Sequence, residues 1–156
     1  MSIMTQLAES IQLRGIAVPK GVSTPFPNIY FATISIPDRA PLSVYVSADF
    51  ITAALKKASN WCTYHHRFRP LKSNSDIKLR RLKLDDLVEN PAAFEAALRL
   101  AQFNGESDIV QRLNDLPQWV ADTLGVPMPK TVDVSSVWDR LQDAVENQER
   151  RSSGIA

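Results

Sequence analysis

Two short runs of β-formers constrain this chain more than any other feature. Ile29-Tyr30-Phe31-Ala32-Thr33-Ile34-Ser35-Ile36 alternates from Ala32 onward, with Ile34 and Ile36 on one face and Thr33 and Ser35 on the other. Leu42-Ser43-Val44-Tyr45-Val46 alternates again, and Pro37-Asp38-Arg39-Ala40-Pro41 lies between the two runs. A five-residue turn of this composition joins adjacent antiparallel strands. The chain must therefore cover at least one apolar sheet face with something else.

Helical patterns supply the cover. Ile3, Leu7 and Ile11 recur at spacing four, with Met4 and Ala8 beside them, and Gly15 is a stop signal. Pro19–Asn28 reads as an extended connector. Ser47 is expected to cap a helix over 47–60 whose buried face holds Phe50, Ile51, Ala54, Leu55 and Ala58. Lys56 and Lys57 would then lie in its last two turns, where they complement the dipole. Lys72 to Asp76 reads as a polar turn. Residues 77–84 fit a third strand, with a bulge at Arg80-Arg81 where the apolar phase slips by one.

The remainder is helical. Asn90-Pro91 is a cap followed by proline at the first helical position. The stripe Phe94, Ala97, Leu98 and Ala101 follows, and Asn104-Gly105 ends it. Further helices are expected from Ser107, from Pro117 to Gly125, and from Ser135, the last with Val137, Trp138, Leu141 and Val145 on one side. Trp119 and Trp138 read as helix–helix contacts. The expected fold is α+β: a small antiparallel sheet of two to three strands with a packed helix, then a bundle of three to four helices. Residues 1–150 are expected to form one domain, with a mixed α/β half to residue 84, an acidic helical half after it, and a frayed tail over 151–156.

Charge is unevenly placed along this order. Lys56 to Lys83 carries nine of the chain's eighteen Lys and Arg against one acid, Asp76. Residues 84–156 hold thirteen acids and six bases, while residues 1–55 balance. The formal net charge of +1 conceals this dipole. Segregation of this kind points to a polyanion or to an acidic protein surface. A single cysteine, Cys62, rules out an intramolecular disulfide framework. The N-terminus lacks the basic and apolar regions of a secretory signal, and no run approaches the length of a membrane span, so a cytoplasmic protein with no membrane partner is expected.

The candidate site is Trp61-Cys62-Thr63-Tyr64-His65-His66-Arg67-Phe68-Arg69-Pro70-Leu71-Lys72, where three aromatics interleave with bases. Aromatic faces stack on unpaired bases while Lys and Arg neutralise phosphates. The expected nucleic-acid contacts are Trp61, Tyr64, Arg67, Arg69 and Lys72, extended by Lys78, Arg80, Arg81 and Lys83 on the third strand. If 61–70 is extended, Arg67 and Arg69 share a face with His65. The competing expectation packs Trp61, Tyr64 and Phe68 in the core and pairs their basic neighbours with the acidic helices.

Other chemistry has little support. Cys62-x-x-His65-His66 has the spacing of two zinc ligands, but a closed site needs four and the chain has no other Cys or His. The same segment lacks the surroundings of a Cys–His nucleophile. No spacing selects a metal-dependent nuclease built from His65 or His66 with Asp76, Asp85 or Asp86. Phosphate-cradling and nucleophile-elbow glycine motifs are missing. No enzymatic activity, metal or cofactor is expected. The favoured expectation is a nucleic-acid-binding or regulatory accessory protein. The alternative is an adaptor or inhibitor docking on a larger complex through its charged surfaces, with a homodimer also open.

Overall fold

The computed structural model describes residues 2–70 and 76–129. Its elements are α1 (Ile3–Leu13), β1 (Asn28–Ile34), β2 (Leu42–Ala48), α2 (Ile51–His66), β3 (Ile77–Arg81), α3 (Leu84–Glu89), α4 (Pro91–Phe103), α5 (Ser107–Asn114) and α6 (Leu116–Leu124). Lys72, the turn around it, the helix expected from Ser135 and the C-terminal tail lie outside the described residues.

The hairpin forms as its alternation requires. β1 pairs antiparallel with β2 from Ile34 opposite Leu42 to Asn28 opposite Ala48. β3 pairs antiparallel with the other edge of β1, which makes the order β2-β1-β3. The fold is α+β, with an antiparallel three-stranded sheet and several helices.

The pleat sends Tyr30, Ala32 and Ile34 to one face. There they meet Val46, Ile77 and the α2 stripe Ala54, Ala58 and Cys62. The stripe is small, so the helix backbone seats close to the sheet. The far end of the opposite face carries Ile29. That residue joins a larger cluster with Met4 and Leu7 of α1, Leu84 of α3, Phe94 of α4 and Val120 of α6. Trp119 packs half-buried against the same cluster. This core draws on both sides of the composition shift near Leu84.

Three local expectations need correction. The helix expected over 47–60 instead spans Ile51–His66. Ser47 and Ala48 continue β2 opposite Ile29 and Asn28, and Phe50 takes the cap position without a side-chain cap hydrogen bond. Phe50 and Ile51 are exposed, and Lys56 and Lys57 fall in the second turn. Trp61 to His66 is the end of α2, not an extended segment, because the Ala54–Ala58–Cys62 stripe continues at spacing four. The helix stops at Arg67, which adopts a left-handed conformation at φ 56°.

The third correction concerns residues 77–84. β3 ends at Arg81 and a helix begins at Leu84, so the phase slip marks a strand-to-helix junction, not a bulge. Leu82 still donates its amide to the Ile29 carbonyl at 2.8 Å. Asp85 and Asp86 therefore lie in the first turn of α3, the short helix that leads into the Asn90 cap of α4. The Asp86 carboxylate accepts from the Lys83 amide at 2.8 Å, satisfying one of the helix-start donors.

Ion pairs tie α2 to the acidic helices. Lys57 pairs with Glu106 at 2.5 Å and donates to the Ser47 carbonyl at 2.8 Å. Arg112 of α5 grips Asp49 with two hydrogen bonds, at 2.6 and 3.1 Å, and reaches Asp108 at 2.8 Å. The hydrogen bond from Arg112 holds the Asp49 carboxyl below the ordinary carboxylate range. Partial burial opposes this, and the charges of Arg112 and Lys57 assist it.

Two stability predictions follow from this packing. Phe94→Ala removes a fully buried ring from the cluster and should cost about 3–5 kcal/mol in urea unfolding; a loss under 1 kcal/mol would contradict the packing. Asp49→Asn should cost about 1 kcal/mol at neutral pH, since the pair is partly solvated. A carboxylate with a depressed native pKa stabilises fully above its unfolded value near ~3.9 and loses that contribution as pH falls through the native value. The gap between wild type and Asp49→Asn should close under acid; an equal gap at pH 7 and pH 3 would contradict the pairing.

Candidate functional site

The core-facing stripe of α2 leaves its large side chains elsewhere. At about 100° per residue, Trp61 falls at the edge of the stripe, roughly 20° from Ala54, and Tyr64 falls on the flank of the helix, roughly 80° from Ala54. That flank faces the C-terminal end of α4. Between them lies an open cleft of about 610 Å³ whose walls include Trp61, Tyr64, His65 and Phe103.

The rings form a connected cluster. Tyr64 meets His65 edge-on at 4.9 Å and Phe103 at 5.6 Å, and His65 lies 5.5 Å from Phe103. Trp61 lies 5.8 Å from His65 and 5.0 Å from His66. Tyr64 and Phe103 are 68% and 62% exposed, so this cluster is not core. Trp61 and Phe68 both pack half-buried against the cluster beneath α2.

Cations rim the cleft. Lys56 and Lys57 line it, and Lys57 is engaged by Glu106. Lys56 makes no ion pair with another described residue, nor do Arg67 and Arg69, which follow α2 and are exposed. The expected pairing of the basic segment with the acidic helices is thus realised at Lys57 and Arg80, whose partner is Asp86 at 3.2 Å.

The basic residues of β3 do not join this site as one surface. Strand alternation sends Lys78 and Arg80 to the sheet face opposite α2, and Arg81 to the α2 face beside Tyr30. Arg81 is half-buried. Lys83 stands at the start of α3, where its ammonium donates to the Ser23 hydroxyl at 3.3 Å. The structure therefore brings Trp61 and Tyr64 together at the cleft, with Arg67 and Arg69 just beyond the end of the same helix. It places Lys78, Arg80, Arg81 and Lys83 apart from them. Lys72 lies outside the described residues.

Phe103 and Lys56 were not among the expected contacts. Phe103 lies roughly opposite the Phe94, Ala97 and Ala101 stripe on the helical wheel, a position that marks an aromatic outside the core. Cys62 is fully buried, and burial pushes its thiol pKa up, as in an unreactive structural cysteine. Among the described residues, no three His, Cys, Asp or Glu side chains gather as a metal-binding group. Among them, too, no helix is long and apolar enough to cross a membrane.

No family model, curated protein or solved structure matches the chain. Function must then be argued from the cleft itself. An exposed set of rings beside unpaired cations can hold a planar aromatic group and an anionic group at once, which is the chemistry of a nucleotide unit. Tyr64→Ala and Phe103→Ala should each change stability by no more than about 1 kcal/mol, because both rings are largely solvated. A loss as large as that for Phe94→Ala, measured by urea unfolding, would show them to be core residues instead.

Proposed function

We propose that the protein is a non-enzymatic accessory protein that binds unpaired nucleic acid in the cleft between α2 and α4. The observation that carries this reading is the exposed ring cluster of Tyr64, His65 and Phe103 beside Lys56. Bases would stack on the rings at about 1–3 kcal/mol each. Lys56, Arg67 and Arg69 would neutralise phosphates and supply most of the remaining affinity. Paired bases cannot reach the rings, so the reading favours single strands over duplex.

A second reading, the protein-binding adaptor or inhibitor, draws on Phe50 and Ile51. They stand 70% and 56% exposed at the start of α2 and have the character of a docking patch. A salt titration separates the two. Fluorescein-labelled oligothymidylate should bind, and log affinity should fall with log salt at a slope of about −2 for three neutralised phosphates. Tyr64→Ala should weaken binding about ten-fold at constant salt. No binding at low salt, or equal affinity for duplex, would overturn the nucleic-acid reading. A stoichiometric protein partner retained through nuclease treatment and lost in Phe50→Ser would support the adaptor.

A further inference from the structure

The cleft does not end at its rings. A second hollow, of about 390 Å³, opens on the other side of the same cluster and shares Trp61, His65, Leu100 and Phe103 with the first. Its remaining walls come from Ala96 and Arg99 of α4 and from Ser43, Val44 and Tyr45 of β2. Because β2 is an edge strand, this hollow passes around the edge of the sheet. Ser43 and Tyr45 point to the face opposite α2, while Val44 packs against the α2 cluster.

On that opposite face two ranks of residues border the larger core cluster, against which Phe31 and Tyr45 pack, and are exposed at Ser43, Lys78 and Arg80. Tyr45, Phe31 and Arg80 lie side by side across the three strands, and Ser43, Thr33 and Lys78 form the next rank. Phe31 and Tyr45 are half-buried, with ring centroids 5.1 Å apart. Open sheet faces carrying aromatic and basic side chains suit unstacked bases, which lie flat on the rings while phosphates meet the cations.

We infer that a single strand of nucleic acid follows a continuous track from the α2–α4 cleft, around the β2 edge, onto the Tyr45–Phe31 rank. The inference rests on the proposed cleft and extends it. Rings recur along the path at Tyr64, Phe103, Trp61, Tyr45 and Phe31. Lys56, Arg99 and Lys78 are spaced along it, and none of the three is ion-paired with another described residue. The far end has a direction. Beside Tyr45 and Arg80 lies a hollow lined by Asp86, which Arg80 engages, and by the exposed Glu89, whose carboxylate repels phosphate. The strand therefore leaves over Thr33 and Lys78, not into that hollow.

Oligomer length tests the track. Labelled oligothymidylate and oligouridylate of about four nucleotides, near the lower limit of single-strand sites, fit within the cleft. Oligomers of about twelve cover both parts. Ser43→Glu and Arg99→Glu change exposed positions on the path, and their melting curves check that the fold is kept. Both variants should leave tetramer binding unchanged and weaken dodecamer binding about ten-fold. Tyr64→Ala should weaken both lengths. Dodecamer binding that is lost in Tyr64→Ala yet unaffected by Ser43→Glu and Arg99→Glu overturns the track and leaves the cleft standing. Failure of wild type to bind either length overturns the cleft and the track together. Preference between the two oligomers distinguishes DNA from RNA as the occupant.

Discussion

The seating of α2 on the sheet governs the arrangement of the molecule. Its contact stripe is Ala54, Ala58 and Cys62, all fully buried against Ala32, Ile34 and Ile77. With small side chains at the contact, the helix lies close and needs no aromatic wedge beneath it. Tyr64, in the last turn, is then displaced to the flank. Trp61 packs half-buried against the core cluster, while Tyr64 and His65 lie in solvent against Phe103. The same small stripe that stabilises the sheet thus leaves a set of rings in solvent.

Charge is divided by the same geometry. Where α2 meets the acidic helices, cations and carboxylates are paired: Lys57 with Glu106, and Asp49 with Arg112. These contacts tie α2 and the residues just before it to α5 and its cap. Past the last turn, Arg67 and Arg69 make no ion pair with another described residue. The dipole evident along the sequence is partly internalised as fastening. The remainder lies where an anionic ligand would meet it.

The hairpin and most C-terminal helices were legible in the sequence, because alternation, capping residues and glycine stops act locally. The bounds of α2 were not. Ser47 has the chemistry of a cap, yet its place opposite Ile29 keeps it in β2. The continuation to His66 rested on Ala58 and Cys62, side chains too small to form a conspicuous stripe. At Leu82 and Leu84 a strand-to-helix junction imitates a bulge, since a few residues cannot distinguish the two periods. Trp61 and Tyr64 were legible as aromatics set among bases. The Tyr64 partner Phe103 was not, because the contact depends on how α4 packs against β2. Lys78, Arg80, Arg81 and Lys83 do not share one surface beside the aromatic segment, because a pleated strand divides its neighbours between two faces.

On the proposed reading, the exposed rings at the end of α2 and of α4 form the surface that meets a ligand. Aromatic NMR tests it directly, by following ring resonances while unlabelled single-stranded oligonucleotide is added. Saturable shifts confined to Trp61, Tyr64, His65 and Phe103 and the adjoining path, with the buried Phe94 ring unmoved, are the result this account predicts. Shifts centred on Phe26 or Phe50, or no shifts at saturating oligonucleotide, would contradict it.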